Sequence, residues 1–178
     1  MHVVSLDLSL TASGVADSRT MDSRVISPPR GLSEGARLLY LQKAIDQATA
    51  GADLVVREGY AMGTKNMAHV RSIGELGGVV RLTLHCRNRP LVEIPPSTLK
   101  KFATGKGNAP KEAMLQAAWQ RLGYTGHDNN VSDALWLLQA ALVHYGLPGA
   151  VQMPKANVAA LGAVDWPVIE AHQHEKAS

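Results

Sequence analysis

Three carboxylates stand where an apolar core rejects charge. Asp7 interrupts the run from Val3 to Leu10, and Glu58 closes the strand-like stretch from Asp53. Asp133 opens the almost wholly apolar segment from Ala134 to Tyr145. Burying an unpaired carboxylate costs several kcal/mol, so each acid needs a partner. One shared divalent cation would serve all three, because magnesium takes hard oxygen ligands and keeps several of its waters. Two such ions stabilise the attacking and leaving oxygens of a phosphodiester displacement. Each acid also has a plainer reading. Asp7 can face solvent from an open strand face, and Glu58 can be a surface strand end. Asn130 can cap the last helix, with Asp133 at its third position favoured by the helix dipole.

A second group is cationic. Lys100, Lys101, Lys106 and Lys111 fall within twelve residues, with Gly105 and Gly107 between them. Lysines on a flexible loop suit phosphate contacts, and glycines let backbone N–H groups approach an oxyanion. The plainer alternative is a solvated lysine face.

The elements that must position these groups follow from periodicity. Val4, Leu6, Leu8 and Leu10 alternate with Ser5, Asp7 and Ser9, which predicts a half-buried strand. Gly14 marks a turn, or a second strand starts near Ser13; a short third strand lies near Val25. Ser33 and Glu34 open a helix whose stripe is Leu38, Leu41, Ile45 and Ala48, ended by Gly51. A strand over 53–58 precedes a long helix over 67–86 with the stripe Val70, Ile73, Gly77, Val80 and Leu84. Gly74, Gly77 and Gly78 lower its helix propensity, which points to close approach of another backbone. A strand over 91–94 ends at Pro95 and Pro96. A short helix, an exposed loop and a helix from Pro110 to Leu122 come next, then a final helix after Asp128-Asn129-Asn130. The order predicts an α/β fold with a mixed sheet flanked by helices. It is a single domain over 1–148, with 149–178 a peripheral C-terminal tail.

Whole-chain numbers bound the partners. The 178 residues are 46% hydrophobic, enough for one domain with a real core. Lys and Arg number 18 against 15 Asp and Glu, so a polyanion partner is permitted without being demanded. Cys86 is the sole cysteine, which excludes an intrachain disulfide and a thiolate zinc site. No apolar run is long enough to span a bilayer, and the start shows no signal-peptide pattern. The expected setting is the reducing cytoplasm.

In order along the chain, five segments resemble the RuvC-type Holliday junction resolvases. VVSLDLSLTASGVA is similar to the family's first hairpin, and DLVVREGYAMG to its strand ending in a catalytic Glu. GELGGVVR resembles its Gly-rich helix, IPPSTLKKFATGKGNAPKEAML its lysine-bearing segment, and DNNVSDALWLL the acidic opening of its last helix. The resemblance covers about residues 3–145. It implies a ribonuclease-H-like fold, a homodimer, and Mg²⁺-dependent nicking of four-way junctions in a bacterial or phage-infected cell, with Mn²⁺ able to substitute. Asp7, Glu58 and Asp133 match catalytic metal ligands. Lys100 and Lys111 match basic residues near the scissile phosphate. The family commonly places a further acid three residues before the final Asp, where this chain has Asn130. Asn130 offers a carbonyl oxygen instead, and Asp128 is a nearby substitute. Tyr60 lies near the family's aromatic junction wedge. Beside this reading stand a nuclease of the same fold acting on other branched or flap DNA, and a catalytically impaired junction-binding protein. A sugar-kinase or actin-like ATPase is disfavoured, because residue 9 is Ser rather than Gly and no second Asp-x-Gly strand follows.

Overall fold

The computed structural model describes residues 1–60 and 67–169, with side chains from residue 73 onward in the second stretch. The elements, in order, are β1 (Val3–Asp7), β2 (Ser13–Asp17), β3 (Ser23–Ile26), α1 (Glu34–Ala48), β4 (Leu54–Glu58) and α2 (Met67–Cys86). There follow β5 (Leu91–Ile94), α3 (Pro96–Thr104), α4 (Lys111–Leu122), α5 (Asn129–Tyr145), α6 (Lys155–Val158) and a 3₁₀ turn (Ala159–Ala163). The five strands form one sheet in the order β3-β2-β1-β4-β5. β1 and β2 are antiparallel, as are β2 and β3, whereas β1, β4 and β5 run parallel. Parallel neighbours need crossover connections, which α1 and α2 supply.

Because β1 lies at the centre, both of its faces are covered. Val4, Leu6 and Leu8 join Val55, Leu41, Ile45, Leu76, Val80 and Leu84 in a core under α1 and α2. Val3 joins Leu54, Val56, Trp136, Leu137 and Phe102 in a second core under α3, α4 and α5. The half-buried strand expected from the Ser5, Asp7, Ser9 alternation is therefore wrong. The polar face is roofed by α5, where the buried Ser5 hydroxyl donates to the Ala134 carbonyl at 2.6 Å. A hydroxyl satisfied by a helix carbonyl reads in sequence like one satisfied by water.

Of the two readings of Gly14, the second strand starting at Ser13 holds, and Gly14 pairs with Asp7 across the β1–β2 ladder. A Cβ at Gly14 would overlap the backbone carbonyl of Asn130. Glycine there lets the first turn of α5 lie directly on the sheet. Among the described residues, Gly77 is the α2 glycine of close approach, met by the side chains of Tyr60 and Arg57 rather than by backbone, and nothing described lies within 4 Å of a Cβ at Gly74 or Gly78.

Residues 149–169 are tied to the body more firmly than a peripheral tail implies. Leu161 and Val164 enter the α5-side core. Asn157 donates to the Phe102 carbonyl at 2.8 Å, and Trp166 stacks on His144 at 4.4 Å between ring centres. The rest of that tail, 170–178, lies outside the described residues, as does the side chain of Val70.

Candidate active site

Strand alternation decides which acids meet. Val3, Ser5 and Asp7 point to the α5 side of β1, and Leu54, Val56 and Glu58 to the same side of β4. The β1–β4 register pairs Leu6 with Arg57, so the next step brings Asp7 beside Glu58 at the carboxyl ends of two parallel strands. Helix α5, seated on Gly14, contributes Asn130 and Asp133. All four line one cleft of about 610 Å³ with Lys100, Lys111 and Arg37.

The charges are strongly coupled. Burial is the main cause that raises the Asp7 carboxyl well above the usual carboxylate range, and the charges of Glu58 and Asp133 raise it further. Lys111 opposes this shift. Burial and then Asp133 push Glu58 up to about 7, against the pull of Lys100 and Lys111. Burial takes Asp133 up to about 6, against the same two lysines. All three acids thus hold their protons to higher pH than ordinary carboxylates, Glu58 up to about 7 and Asp133 up to about 6, and a bound cation would displace them. Among the described residues, no three His, Cys, Asp or Glu side chains are already gathered around a single ion position. The donor chemistry nevertheless fits a hard divalent ion: three carboxylates and the Asn130 amide in one cleft, all oxygen donors.

The cap of α5 is Asp128, not Asn130. The Asp128 carboxylate accepts from the N–H groups of Asn130 at 2.8 Å and Val131 at 3.1 Å. That engagement sets Asp128 apart from the cleft lining, where Asn130 stands instead. Asp133 falls in the second helical turn, so a capping role does not account for it.

The lysines divide. Lys100, on α3, and Lys111, at the start of α4, line the cleft, and their charges act on its acids. A cation in the first turn of a helix is disfavoured by the helix dipole, so Lys111 is held there against a local electrostatic cost. Lys101 and Lys106 are exposed and do not line the cleft. The glycines between them serve the chain path. Gly105 ends α3 with φ +83°, and a Cβ at Gly107 would press on the Ser97 carbonyl. Tyr60 is half turned inward, its ring 4.7 Å from the Arg57 guanidinium and against Gly77.

Two features escaped the sequence reading. Arg37, on α1, lines the cleft from the side opposite the lysine-bearing helices, with Ser9 and Thr11 of the β1–β2 turn. Its signal was available. Arg37 precedes Leu41 and Ile45 at four-residue spacing, so a cation occupies the end of the buried stripe. Gly14 is the other, and its function depends on a helix more than a hundred residues away in sequence.

A mixed five-stranded sheet with helices on both faces and acids at its central strand ends is a ribonuclease-H-like fold. No protein-family profile matches the chain. In sequence and fold it resembles RuvC. The crossover junction endodeoxyribonuclease RuvC of Synechococcus sp. (strain CC9902) is 27% identical over 146 residues, covering 76% of this chain and 94% of the relative. RuvC of Carboxydothermus hydrogenoformans is 32% identical over 85 residues, 47% of this chain. The structure of Thermus thermophilus RuvC superposes with a TM-score of 0.64 at 17% identity, covering 86% of this chain and all of that one. The same protein in complex with a Holliday junction substrate gives 0.67 at 18% identity, again over 86% of this chain.

Proposed function

We propose that this chain is a Holliday junction resolvase, a divalent-metal-dependent endonuclease that nicks four-way DNA junctions. The observation that carries this reading is the convergence of Asp7, Glu58 and Asp133 with Lys100 and Lys111 on one cleft. Two relatives named crossover junction endodeoxyribonuclease RuvC are each 27% identical to this chain over 94% of their own length, which supports the reading.

Asp7, Glu58 and Asp133 would hold the ions, with the Asn130 carbonyl oxygen as a neutral fourth donor. Mg²⁺ is the expected ion, with Mn²⁺ as a substitute. When bound, such ions activate water and stabilise the attacking and leaving oxygens of phosphodiester hydrolysis. Loading requires Glu58 and Asp133 to release protons that they hold up to about 7 and about 6. Lys111, whose charge reaches all three acids, is placed to stabilise negative charge on the phosphate in the transition state. Lys100 supports it from α3. Lys101, Lys106 and Tyr60, away from the cleft lining, are candidates for contacts with the junction arms. A four-way junction has near two-fold symmetry, so a homodimer with two such clefts would make paired nicks. Among the described residues no helix is long and apolar enough to cross a membrane, which agrees with action in the cytoplasm of a bacterium or a phage-infected cell.

Asn130 favours one second reading. A neutral amide replaces a negative ligand in the cleft, which would weaken ion binding and leave a protein that binds junctions without cutting them. The test offers four-way junctions, forks and duplexes with Mg²⁺ or Mn²⁺. Paired nicks in the junction, lost in Asp7→Asn, support the resolvase. Binding without cleavage under both ions supports the second reading, and preferential cutting of forks supports a flap-type nuclease.

A further inference from the structure

The cleft has two walls, and only one of them is occupied by the residues assigned so far. Lys100 and Lys111 come from α3 and α4 on the α5 side of the sheet. The opposite wall is built from the first turn of the sheet and the start of α1, where Ser9, Thr11 and Arg37 line the same space. Arg37 is half-buried, and its α1 turn is fixed by the Ser33 cap and by its own N–H bond to the Ser33 carbonyl at 2.9 Å. The guanidinium donates one long bond, 3.5 Å, to the Leu32 carbonyl. Among the described residues it has no carboxylate partner, unlike Arg57, Arg81, Arg87 and Arg89. Its charge is also absent from those acting on Asp7, Glu58 and Asp133, which belong to Lys100, Lys111, Asp128 and the three acids themselves. Arg37 therefore sits on the rim rather than over the acids.

The turn beside it presents hydroxyls on a rigid frame. Ser13 donates to the Ser9 carbonyl at 2.8 Å and accepts from the Ser9 N–H at 3.0 Å. The Ser9 and Thr11 hydroxyls bond each other at 3.1 Å, and both are on the open side. A planar guanidinium with no carboxylate partner among the described residues, lining the same cleft as two hydroxyls, suits a phosphate oxygen pair better than it suits a base edge.

We propose that Arg37, assisted by the Ser9 and Thr11 hydroxyls, binds a backbone phosphate flanking the scissile one. The DNA strand is thereby gripped between α1 and the lysine-bearing helices. The proposal rests on the nuclease reading above and adds a second wall to it. It assigns Arg37 to strand placement, while Lys111 keeps the reacting phosphate.

The test measures binding of a four-way junction in Mg²⁺ to Asp7→Asn and to Asp7→Asn with Arg37→Ala or Arg37→Lys, across a salt series. Arg37→Ala should weaken binding on the order of threefold to tenfold at moderate salt. It should lower the slope of log affinity against log salt by about 1. Arg37→Lys should restore the slope but only part of the affinity, since an ammonium cannot bind an oxygen pair in parallel. With Asp7 intact, the loss from Arg37→Ala should fall on KM more than on kcat. An unchanged slope and affinity overturn the proposal, as does a loss confined to kcat. If the parent neither binds nor cuts branched DNA, the nuclease reading fails first, and that outcome is distinct from a parent that cuts with Arg37 silent.

Discussion

Arg57 and Glu58 are neighbours on β4, and their charges meet opposite fates. Arg57 points to the α1–α2 side, is 1% exposed, and is fully answered there. It donates to Glu93 through Nε at 3.1 Å and Nη2 at 2.6 Å, Arg81 reaches the same carboxylate, and the Tyr60 ring covers its other face. Glu58 points to the α5 side and shares its cleft with Asp7 and Asp133, where the pull of Lys100 and Lys111 does not offset burial and the neighbouring charge. One face of the strand carries a closed charge network, and the other carries an open one. A buried charge that is satisfied belongs to the architecture. A set of like charges left unsatisfied at the ends of parallel strands awaits a ligand.

The sharpest way to break this contrast is at Glu58. Glu58→Gln keeps the volume and removes one cleft charge, so junction cleavage should fall on the order of a thousandfold in a single-turnover assay. A variant that still cuts within tenfold of the parent would put the metal-holding role of Glu58 in error. Arg57→Ala should act oppositely, on stability. Glu93 is 28% exposed and keeps Arg81, so losing the buried guanidinium should cost about 1 to 3 kcal/mol, read from the denaturant midpoint. A midpoint shift below about 1 kcal/mol would mean that the network is not closed.

Gly14→Ala probes the seat that brings α5 to the acids. Its Cβ meets the Asn130 carbonyl, which backbone cannot yield cheaply, so about 1 to 3 kcal/mol should be lost. Cleavage should fall further than stability alone explains, because Asn130 and Asp133 move with the helix. The gentlest test is pH. In the unfolded chain the acids release protons in the ordinary carboxylate range, but in the folded, metal-free chain Glu58 holds its proton to about 7 and Asp133 to about 6. The folded state then binds more protons between those limits, so metal-free stability should decline as pH rises from about 4 to about 7. Affinity for Mn²⁺ should climb across the same window, because the ion displaces those protons. Flat profiles for both would remove the coupling between the acids.

Much of this contrast was legible in the residues. An acid inside an apolar strand, another at a strand end and a third opening an apolar helix are each anomalous under simple patterning, and burial is what makes them so. The same rule applied to the helix before Leu41 would have picked out Arg37. Other features were not local enough to see. Ser5 reads as a solvent-facing residue until α5 covers it. Gly14 reads as a turn or as part of a second strand, and why it must be glycine stays hidden because its partner, Asn130, is brought to it only by the folded topology. Asp128 and Asn130 exchange the roles of cap and cleft residue because either can cap a helix, and two positions of register decide between them. The α2 glycines look alike in sequence, yet among the described residues Gly77 alone meets a neighbour, since its position faces Tyr60.

The central claim is that Asp7, Glu58 and Asp133 form one electrostatically frustrated site that a divalent cation resolves. Thermal unfolding of the parent and of Asp7→Asn near pH 8, each with and without Mn²⁺, tests it most directly. The account predicts that Mn²⁺ raises the parent's Tm by several degrees. It also predicts that Asp7→Asn unfolds at a higher temperature than the parent without metal and gains little from it. A parent indifferent to Mn²⁺, or an Asp7→Asn that is less stable without metal yet still stabilised by it, would contradict the account.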